Sequence, residues 1–385
     1  MAKILVVSKY YYPFSGGIEE SVKFVAEYAA RFHDVTVVAS NHEPGNKVET
    51  LNGVRVVRRH VQWQFKGQPI CLRLFSGIRF GDYDMIHFHS PNPLANVQLL
   101  LRSLLSPKTP VVVTHHMDIF GRKLLRMISL PFLRHLIRSA VTTIVTSRKN
   151  LTISKDLPHD ANYVVVPLAI TPQDYQIDAD LRQEAAAWRE GLSGTAPVVG
   201  FVGRHARYKG LTVLMEALAQ LDGVHGYIGG DGPYRAEAQA RAEALGIADR
   251  VHFLGRLSHR EKLRLLASLD VFAFPSTEIT EAFGISQLEA MICGAPVVAS
   301  NLQTGVTDVS IGDKTALLAT PGDADSLAQQ LLRLIEDKEL AARLSKAALA
   351  HVNENMTHDI VSKKTLGIFE GAIATKAIGA QVSAT

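Results

Sequence analysis

Short, continuously apolar runs recur along the chain and alternate with segments whose apolar residues have helical spacing. Runs of this kind are typical of strands that are buried on both faces of a parallel sheet. A first series of predicted strands lies at residues 4–7, 35–39, 54–57, 85–88, 111–114, 143–145 and 163–166, and a second at 198–202, 226–228, 251–254, 271–274, 296–299 and 316–318. Helical spacing at residues 20–31, 211–221 and 261–269 predicts helices between the strands.

The two series indicate two domains of one architecture. Strands that alternate with helices predict parallel sheets covered on both faces, so the expected fold class is α/β with two Rossmann-like, doubly wound domains. A proline-containing stretch at residues 167–172 separates the series. We expect a first domain at 1–168 and a second at 169–356, facing each other across a cleft. A final helix at about 357–375 would pack back on the first domain.

Composition limits the classes of protein to which the chain can belong. It is 47% hydrophobic and 20% charged, which is typical of a folded globular chain. Cys71 and Cys293 lie far apart in apolar surroundings, which predicts reduced thiols rather than a disulfide. The chain begins with a strand-like run and has no apolar stretch of about 18 to 20 residues, so we expect a cytoplasmic protein without a signal peptide or membrane span.

Charge is distributed unevenly between the two halves. Residues 1–170 contain 21 Lys and Arg against 11 Asp and Glu, whereas the remainder contains 20 against 26. A basic half predicts contact with an anionic surface or substrate. Nucleic acid is not the expected partner, because the chain has no recognition motif and no basic patch interleaved with aromatic residues.

Residues 121–138 combine basic and apolar side chains without an acidic residue. Pro131 is expected to break or kink the segment, giving two short amphipathic pieces that lie on an anionic membrane. The alternative is a helix packed into the core whose cations face solvent. The cations are Arg122, Lys123, Arg126, Arg134 and Arg138.

Turns that follow predicted strands provide candidate phosphate sites. Gly16 and Gly17 permit positive φ and a close backbone approach before a helix whose N-terminus favours anions, although an ordinary turn fits equally well. Arg204 follows the strand at 198–202, and Lys209 precedes the next helix. These two cations can converge on one diphosphate, Arg as a planar fork and Lys as a point charge, or they are solvated loop cations.

Two glutamates mark the segment 276–299. Glu281 lies in a predicted loop before a helix, and Glu289 lies inside that helix among apolar positions. A carboxylate in such surroundings is costly unless it has partners, and ribose hydroxyls would be suitable ones. The amides near residues 283–286 would form an anion site at the helix start. The alternative is a helix-capping Glu281 and a solvated Glu289.

Together these motifs resemble a large family of retaining glycosyltransferases with the GT-B fold, family 4 or glycosyl transferases group 1. The family signature is two Glu separated by seven residues, with Phe-Gly after the first Glu and a Cys-Gly-x-Pro-Val-Val ending. The chain has it at Glu281, Phe283, Gly284, Glu289, Cys293, Gly294, Pro296, Val297 and Val298. Residues 16–17, 203–210, 229–233 and 253–255 match in the family's order, so the resemblance covers nearly the whole chain.

The resemblance implies a role for each matching residue. Arg204 and Lys209 would hold the diphosphate of a nucleotide-sugar donor, and Gly16 and Gly17 would close over the same phosphates. Glu281 would face the sugar hydroxyls. The other donor contacts would come from the Phe283, Gly284 and Ile285 backbone, from Glu289 at the ribose, and from Arg256 and Leu257 at the base.

The resemblance also assigns His116, which follows the strand at 111–114, to a sugar hydroxyl or the acceptor. Asp118 then completes a His-x-Asp element similar to that of mannosyltransferase-like members, and His115 is a structural neighbour. His87 and His89 alternate on one predicted strand and are expected to be core histidines.

Asp-x-Asp pairs occur at residues 82–84, 178–180 and 323–325. Such pairs bind a metal in the other major glycosyltransferase fold. Here the first precedes a strand and the last a helix, where Asp is an ordinary turn or capping residue, so we expect no metal site.

The implied function is retaining, metal-independent transfer of a hexose, mannose or a related sugar, from a GDP-sugar. The acceptor would be a polyprenyl-diphosphate-linked saccharide in cell-surface polysaccharide synthesis, such as that of lipopolysaccharide. The enzyme would work in the cytoplasm, peripherally on the inner face of the cytoplasmic membrane, with no cofactor beyond the donor. Three alternatives stay open: a UDP-sugar donor, a GT-B-fold sugar-nucleotide epimerase, and a non-catalytic nucleotide-sugar binder.

Overall fold

The computed structural model describes the chain except for residues 15, 66–67, 104–108, 120–122 and 383–385. The chain divides into two compact units. The first unit consists of residues 1–169 and 358–385, and the second of residues 170–357. No helix in the described ranges is both long enough and apolar enough to cross a bilayer.

An eight-stranded sheet, sheet 1, forms the centre of the first unit. The unit's strands are β1 (Lys3–Val7), β2 (Asp34–Ser40), β3 (Lys47–Leu51), β4 (Val54–Arg59), β5 (Trp63–Phe65), β6 (Gln68–Ile70), β7 (Met85–Ser90), β8 (Val111–His115), β9 (Thr142–Val145) and β10 (Tyr163–Val165). Sheet 1 has the order β10-β9-β8-β7-β1-β2-β4-β3 and is parallel except for β3, while β5 and β6 form a separate antiparallel pair.

The helices of the first unit are α1 (Gly17–Ala29), α2 (Pro93–Ser103), α3 (Lys123–Ser139), α4 (Arg148–Ile153) and α13 (His358–Val382). The last helix of the chain returns to this unit, since Val361 and Phe369 share a core cluster with Val22 of α1 and Ile4 of β1. Fixing α13 beside α1 closes one face of sheet 1.

The predicted break at Pro131 is absent, because α3 continues through this residue as one helix. Proline removes one backbone hydrogen bond from a helix and crowds the preceding turn. Leu133, Leu136 and Ile137 follow it and are buried in the core of the first unit. Their packing explains why the helix does not end at the proline.

A six-stranded parallel sheet, sheet 2, forms the centre of the second unit. Its strands are β11 (Val198–Val202), β12 (His225–Gly229), β13 (Val251–Gly255), β14 (Val271–Phe274), β15 (Val297–Ser300) and β16 (Leu317–Ala319), in the order β13-β12-β11-β14-β15-β16. The helices are α5 (Ala179–Ser193), α6 (Leu211–Ala219), α7 (Arg235–Ala244), α8 (His259–Ala267), α9 (Ile285–Ile292), α10 (Val306–Val309), α11 (Ala324–Glu336) and α12 (Lys338–Asn355). Two parallel α/β sheets confirm the predicted fold class.

Candidate active site

Lys209 and Glu281 meet at the carboxyl end of sheet 2. Lys209 ends a short 3-10 turn (Arg207–Lys209) after β11, and Glu281 lies in the loop between β14 and α9. Both residues are buried, and the Lys209 Nζ forms an ion pair with Glu281 Oε2. Ser276 Oγ donates a 2.9 Å hydrogen bond to the same oxygen. The structure therefore brings together two residues that the sequence assigned to one site.

Arg204 differs from Lys209 in its surroundings. Its side chain is exposed directly after β11, and no described residue forms an ion pair or hydrogen bond with its guanidinium. Burial and the charge of Glu281 raise the pKa of Tyr208, whereas the nearby Arg204 lowers it. Arg204 is thus an exposed cation beside a turn whose lysine is already paired.

Close backbone packing fixes the loops that carry these residues. Gly210 has φ of +68°, and a Cβ there would lie 2.0 Å from the Pro275 carbonyl oxygen. Gly230 has φ of +112°, and a Cβ there would lie 1.9 Å from the Gly203 carbonyl oxygen. Only glycine fits such approaches without displacing the neighbouring chain. The loops after β11, β12 and β14 therefore hold one another in place.

Helix α9 begins directly behind this cluster. Its N-cap is Gly284, in the left-handed region with φ of +80°, and no side chain caps the first turn. Phe283 is only 2% exposed, so its ring packs inside the unit, and its carbonyl oxygen accepts a 2.6 Å hydrogen bond from Gln287 Nε2. The first amides of a helix without a capping side chain favour an anion, and Ile285 supplies the first of them.

Glu289, one turn further along α9, has partners from the protein itself. Tyr175 Oη donates a 2.6 Å hydrogen bond to Glu289 Oε1, and Lys262 Nζ lies 2.6 Å from the same oxygen. The sequence predicted that this carboxylate needs partners but did not identify these two. Tyr175 lies 114 positions away and Lys262 27 positions away, and neither belongs to a motif.

The residues predicted to meet the base lie after β13. Arg256 is highly exposed, and its Nε lies 3.7 Å from Asp231 Oδ2. Leu257 is half-buried and packs against Gly229, where a Cβ would lie 2.7 Å from its Cδ1. Arg256 therefore has only one long contact to a carboxylate, whereas Leu257 packs against β12.

Gly16 and Gly17 lie at the start of α1 in the first unit. Gly16 is the N-cap with an extended φ of −176°, and Gly17 is the first helical residue, so neither uses the positive φ that glycine permits. A Cβ on Gly16 would lie 2.3 Å from Glu19 Oε2. Burial raises the pKa of Glu19. Gly16 is small here because the Glu19 carboxylate lies against it.

A row of buried histidines crosses the carboxyl ends of β7 and β8. His116 Nε2 lies 2.9 Å from His89 Nδ1, and His87 Nε2 lies 2.7 Å from Thr114 Oγ1. Burial lowers the pKa of His87 and of His116 to about 3, so both are neutral at pH 7. His89, expected to be a core histidine, is thus the direct partner of the candidate His116.

Asp118 is bonded to His115 rather than to His116. His115 Nε2 lies 3.3 Å from Asp118 Oδ1, while Ser154 Oγ and the Lys155 amide donate to the same carboxylate at 2.5 and 2.8 Å. His115 is therefore more than a neighbour of the predicted His-x-Asp element, because it is the histidine that contacts Asp118.

Helix α3 carries the segment predicted to lie on a membrane. Arg126 pairs at 2.6 Å with Asp156, which is fully buried, and Arg134 and Arg138 bond to residues 155–160. The side chains of Arg122 and Lys123 lie outside the described residues. Met127 and Ile128 are 67% and 56% exposed. Part of the apolar surface of α3 is therefore buried and part is open.

The Asp-x-Asp pairs have structural partners. Asp84 accepts hydrogen bonds from the Lys3 amide at 2.8 Å and from Lys376 Nζ at 3.2 Å. Asp178 caps α5 and Asp323 caps α11 through their side chains. Within the described residues, no group of three or more His, Cys, Asp or Glu is placed to hold a metal ion.

Two family models match the chain: Glycosyltransferase Family 4 over residues 15–174 and Glycosyl transferases group 1 over residues 182–351. D-rhamnosyltransferase WbpZ of Pseudomonas aeruginosa is 30% identical over 350 residues, which is 89% of this chain and 88% of the relative. The chain belongs to the group 1 glycosyltransferases. O-antigen chain mannosyltransferase C of Escherichia coli is 27% identical to this glycosyltransferase, with 97% and 100% of the two chains covered.

Solved structures show the same fold. HepE of Anabaena in complex with UDP superposes with a TM-score of 0.76 at 24% identity, covering 96% of this chain and all of that one. Sucrose-phosphate synthase of Thermosynechococcus elongatus superposes with a TM-score of 0.74 at 20% identity, covering 97% of this chain and all of that one. The predicted resemblance and the GT-B fold of this glycosyltransferase are therefore confirmed.

Proposed function

We propose that this glycosyltransferase transfers mannose or a related hexose from a GDP-sugar, with retention of anomeric configuration and without a metal ion. The acceptor is a polyprenyl-diphosphate-linked saccharide used in cell-surface polysaccharide synthesis. The observation that carries the proposal is the buried Lys209–Glu281 pair beside the uncapped start of α9. It combines a cation, a carboxylate and free helix amides at the carboxyl edge of sheet 2, where ligands bind in open parallel sheets.

The chemistry follows from the charge that develops in the reaction. When the anomeric bond breaks, the leaving nucleoside diphosphate gains negative charge, and fixed cations and amide dipoles stabilise that charge. Arg204, Lys209 and the first amides of α9 take this role, which a divalent metal fills in other enzymes. The acceptor oxygen attacks on the face from which the diphosphate leaves, and a phosphate oxygen takes its proton. Glu281 holds the sugar hydroxyls.

The donor assignment rests on relatives. The similar E. coli protein is described as an O-antigen chain mannosyltransferase, and a Mycobacterium tuberculosis protein, 26% identical over 395 residues, as a GDP-mannose-dependent mannosyltransferase acting on a phosphatidylinositol mannoside. These relatives support a GDP-sugar and an acceptor that is lipid-linked. The acceptor in turn supports action at the inner face of the cytoplasmic membrane, with α3 as the contact.

A thermal-shift comparison of GDP with UDP tests the donor. A nucleotide at a hundred times its dissociation constant stabilises the native state by about 2.7 kcal/mol. We expect this shift with GDP and a smaller one with UDP; the reverse order contradicts the GDP assignment and supports a UDP-sugar. With the donor known, NMR of the product should show the donor's anomeric configuration. Release of free epimerised sugar nucleotide, or binding without turnover on a panel of acceptors, contradicts the transferase proposal.

A further inference from the structure

Glu289 is held by two residues that lie outside the family's motifs. Tyr175 ends a 3-10 turn (Pro172–Tyr175) and Lys262 lies on α8, yet both bond to Glu289 Oε1 on α9. We infer that Tyr175 and Lys262 are positioning residues, which hold Glu289 so that its other oxygen receives the ribose diol of the donor nucleotide. The inference rests on the proposed function, because it gives Glu289 the ribose.

The two bonds fix one oxygen and leave the second one free. Oε1 accepts from a tyrosine hydroxyl and a lysine ammonium, each at 2.6 Å, whereas no described residue bonds to Oε2. Charge-assisted hydrogen bonds of this length are among the stronger ones in proteins. A glutamate side chain otherwise samples several rotamers, so holding Oε1 restricts Oε2 to one direction. Less ordering is then required when a ligand binds.

The partners are themselves held in place. Lys262 Nζ lies 5.1 Å from the centre of the Tyr175 ring, so the cation also contacts the aromatic face. The His259 ring packs edge-on against Tyr175 with centroids 5.5 Å apart, and its Nε2 lies 2.5 Å from the Asp174 carbonyl oxygen. The turn that carries Tyr175 is therefore tied to the start of α8, which also carries Lys262. The support around Glu289 is therefore formed by the protein itself, without a contribution from a ligand.

Glu281 shows the same arrangement, which supports a functional purpose for both. Its Oε2 is bonded by a lysine, Lys209, and by a hydroxyl, that of Ser276, while no described residue bonds to its Oε1. Two carboxylates near the start and within one helix are thus each held by one oxygen. In each case one carboxylate oxygen is held by the protein and the other has no partner among the described residues, so it is available to a ligand.

Ribose discrimination tests the inference. Dissociation constants are measured by calorimetry for GDP and for its 2′,3′-dideoxy analogue, with the matching uridine pair if the protein prefers UDP. We expect the wild-type protein to favour the ribonucleotide by at least about tenfold, because a charged hydrogen bond is lost with the hydroxyls. Tyr175→Phe and Lys262→Met should bring the ratio of the dideoxy to the ribonucleotide dissociation constant towards one. They should change the affinity for the dideoxy nucleotide little. Lys262→Arg should keep most of the preference.

Matched controls separate positioning from loss of structure. Tyr227→Phe removes a hydroxyl that bonds to Ser193 at 3.0 Å, and Lys338→Met removes a lysine 3.2 Å from Asp270, both in the second unit. Neither should alter the ratio. A purely structural role would weaken the ribo- and dideoxy-nucleotides together and leave the ratio unchanged, which would overturn the inference. Tyr175→Phe keeps the test decisive if Lys262→Met fails to fold.

The same measurements distinguish failure of the positioning inference from failure of the proposed function. If Glu289→Gln keeps the full preference, Glu289 does not bind the ribose and the inference is wrong, while the transferase proposal stands. If the wild-type protein binds neither GDP nor UDP, the donor assignment and the inference fail together.

Discussion

Lys209 and Glu281 form an ion pair at the carboxyl edge of sheet 2, and the Ser276 hydroxyl donates a hydrogen bond to the same Glu281 oxygen, Oε2. Removing one partner of a buried pair leaves an uncompensated charge and costs roughly 3 to 5 kcal/mol, whereas removing both costs much less. From the proposed role of the pair, we expect its variants to change both stability and turnover, which are measured separately.

We expect Lys209→Ala to lower turnover by roughly a hundred- to thousandfold, the typical cost of losing one contact to a developing charge. Glu281→Ala loses the proposed contact to the sugar hydroxyls and should lower turnover by a similar factor. Both proteins should remain folded at assay temperature but melt earlier than the wild type. The double variant Lys209→Met with Glu281→Gln should regain stability and stay inactive. Turnover and thermal melting are measured on the same preparations.

Lys338→Ala is the matched control, because it breaks an exposed lysine–carboxylate pair in the same unit. It should leave turnover unchanged. Near-parental turnover by folded Lys209→Ala would remove Lys209 from the active site.

Two glycines with nearly the same φ separate backbone strain from close packing. Gly284 has φ of +80° and Gly322 has φ of +78°. A Cβ on Gly284 would lie 2.3 Å from the Phe274 ring, whereas nothing lies within 4 Å of one on Gly322. Gly284→Ala should therefore lower both stability and turnover, because it shifts the start of α9. Gly322→Ala should show only the cost of strain, about 1 kcal/mol in melting experiments, with normal turnover. Equal effects would contradict the packing argument.

The fold was predictable because strands buried on both faces of a parallel sheet have continuously apolar sequences. The sequence missed β3, an edge strand whose residues are largely exposed, and the short pair β5 and β6. Without a continuous apolar run, such strands give no periodic signal. The loops of the site were also predictable, since glycine and charge after a strand mark the carboxyl edge.

The partners within the site were not predictable, because they come from distant parts of the chain. The sequence showed that Glu289 needs compensation and suggested a ligand, whereas Tyr175 and Lys262 supply it. His89 and His116 meet because β7 and β8 are neighbours in sheet 1, which local spacing does not reveal.

Acid should destabilise the first unit through its buried histidines. Burial lowers the pKa of His87 and His116 to about 3, while an unfolded histidine has a pKa of about 6.5. Between these values the unfolded chain binds protons that the folded chain does not, so stability falls as pH drops below about 6.5. Each histidine contributes up to about 1.4 kcal/mol per pH unit. The pH dependence of melting should become shallower in His87→Gln and remain unchanged in His135→Gln, an exposed histidine. Identical pH profiles for all three proteins would contradict the neutral state of His87.

Activity should be complete in excess EDTA. In the proposed mechanism, Arg204, Lys209 and the α9 amides supply the charge that a metal would otherwise provide. The assay compares dialysed protein with and without chelator, with a metal-dependent glycosyltransferase treated in parallel. Loss of activity in EDTA and its recovery with manganese would contradict the metal-independent mechanism and favour the Asp-x-Asp pairs as metal ligands.

The surface of α3 leads to a prediction about membranes. Arg126 holds buried Asp156, so Arg126→Gln should lower thermal stability rather than report on membrane contact. The informative variants change two cations of the 121–138 segment, Arg122→Gln with Lys123→Gln, and the exposed apolar pair of α3, Met127→Ser with Ile128→Ser.

We expect the wild-type protein to sediment with anionic vesicles at low salt and to be released at high salt. Each cation near the surface contributes about 1 kcal/mol, so the Arg122 and Lys123 double variant should bind roughly thirtyfold more weakly. Met127→Ser with Ile128→Ser should weaken binding at any salt concentration, because it removes apolar area rather than charge. Phe32→Ser, which alters an exposed aromatic residue just beyond the far end of α1, is the control and should bind normally. A wild-type protein that ignores anionic vesicles at low salt would contradict the membrane contact and favour a soluble saccharide as acceptor.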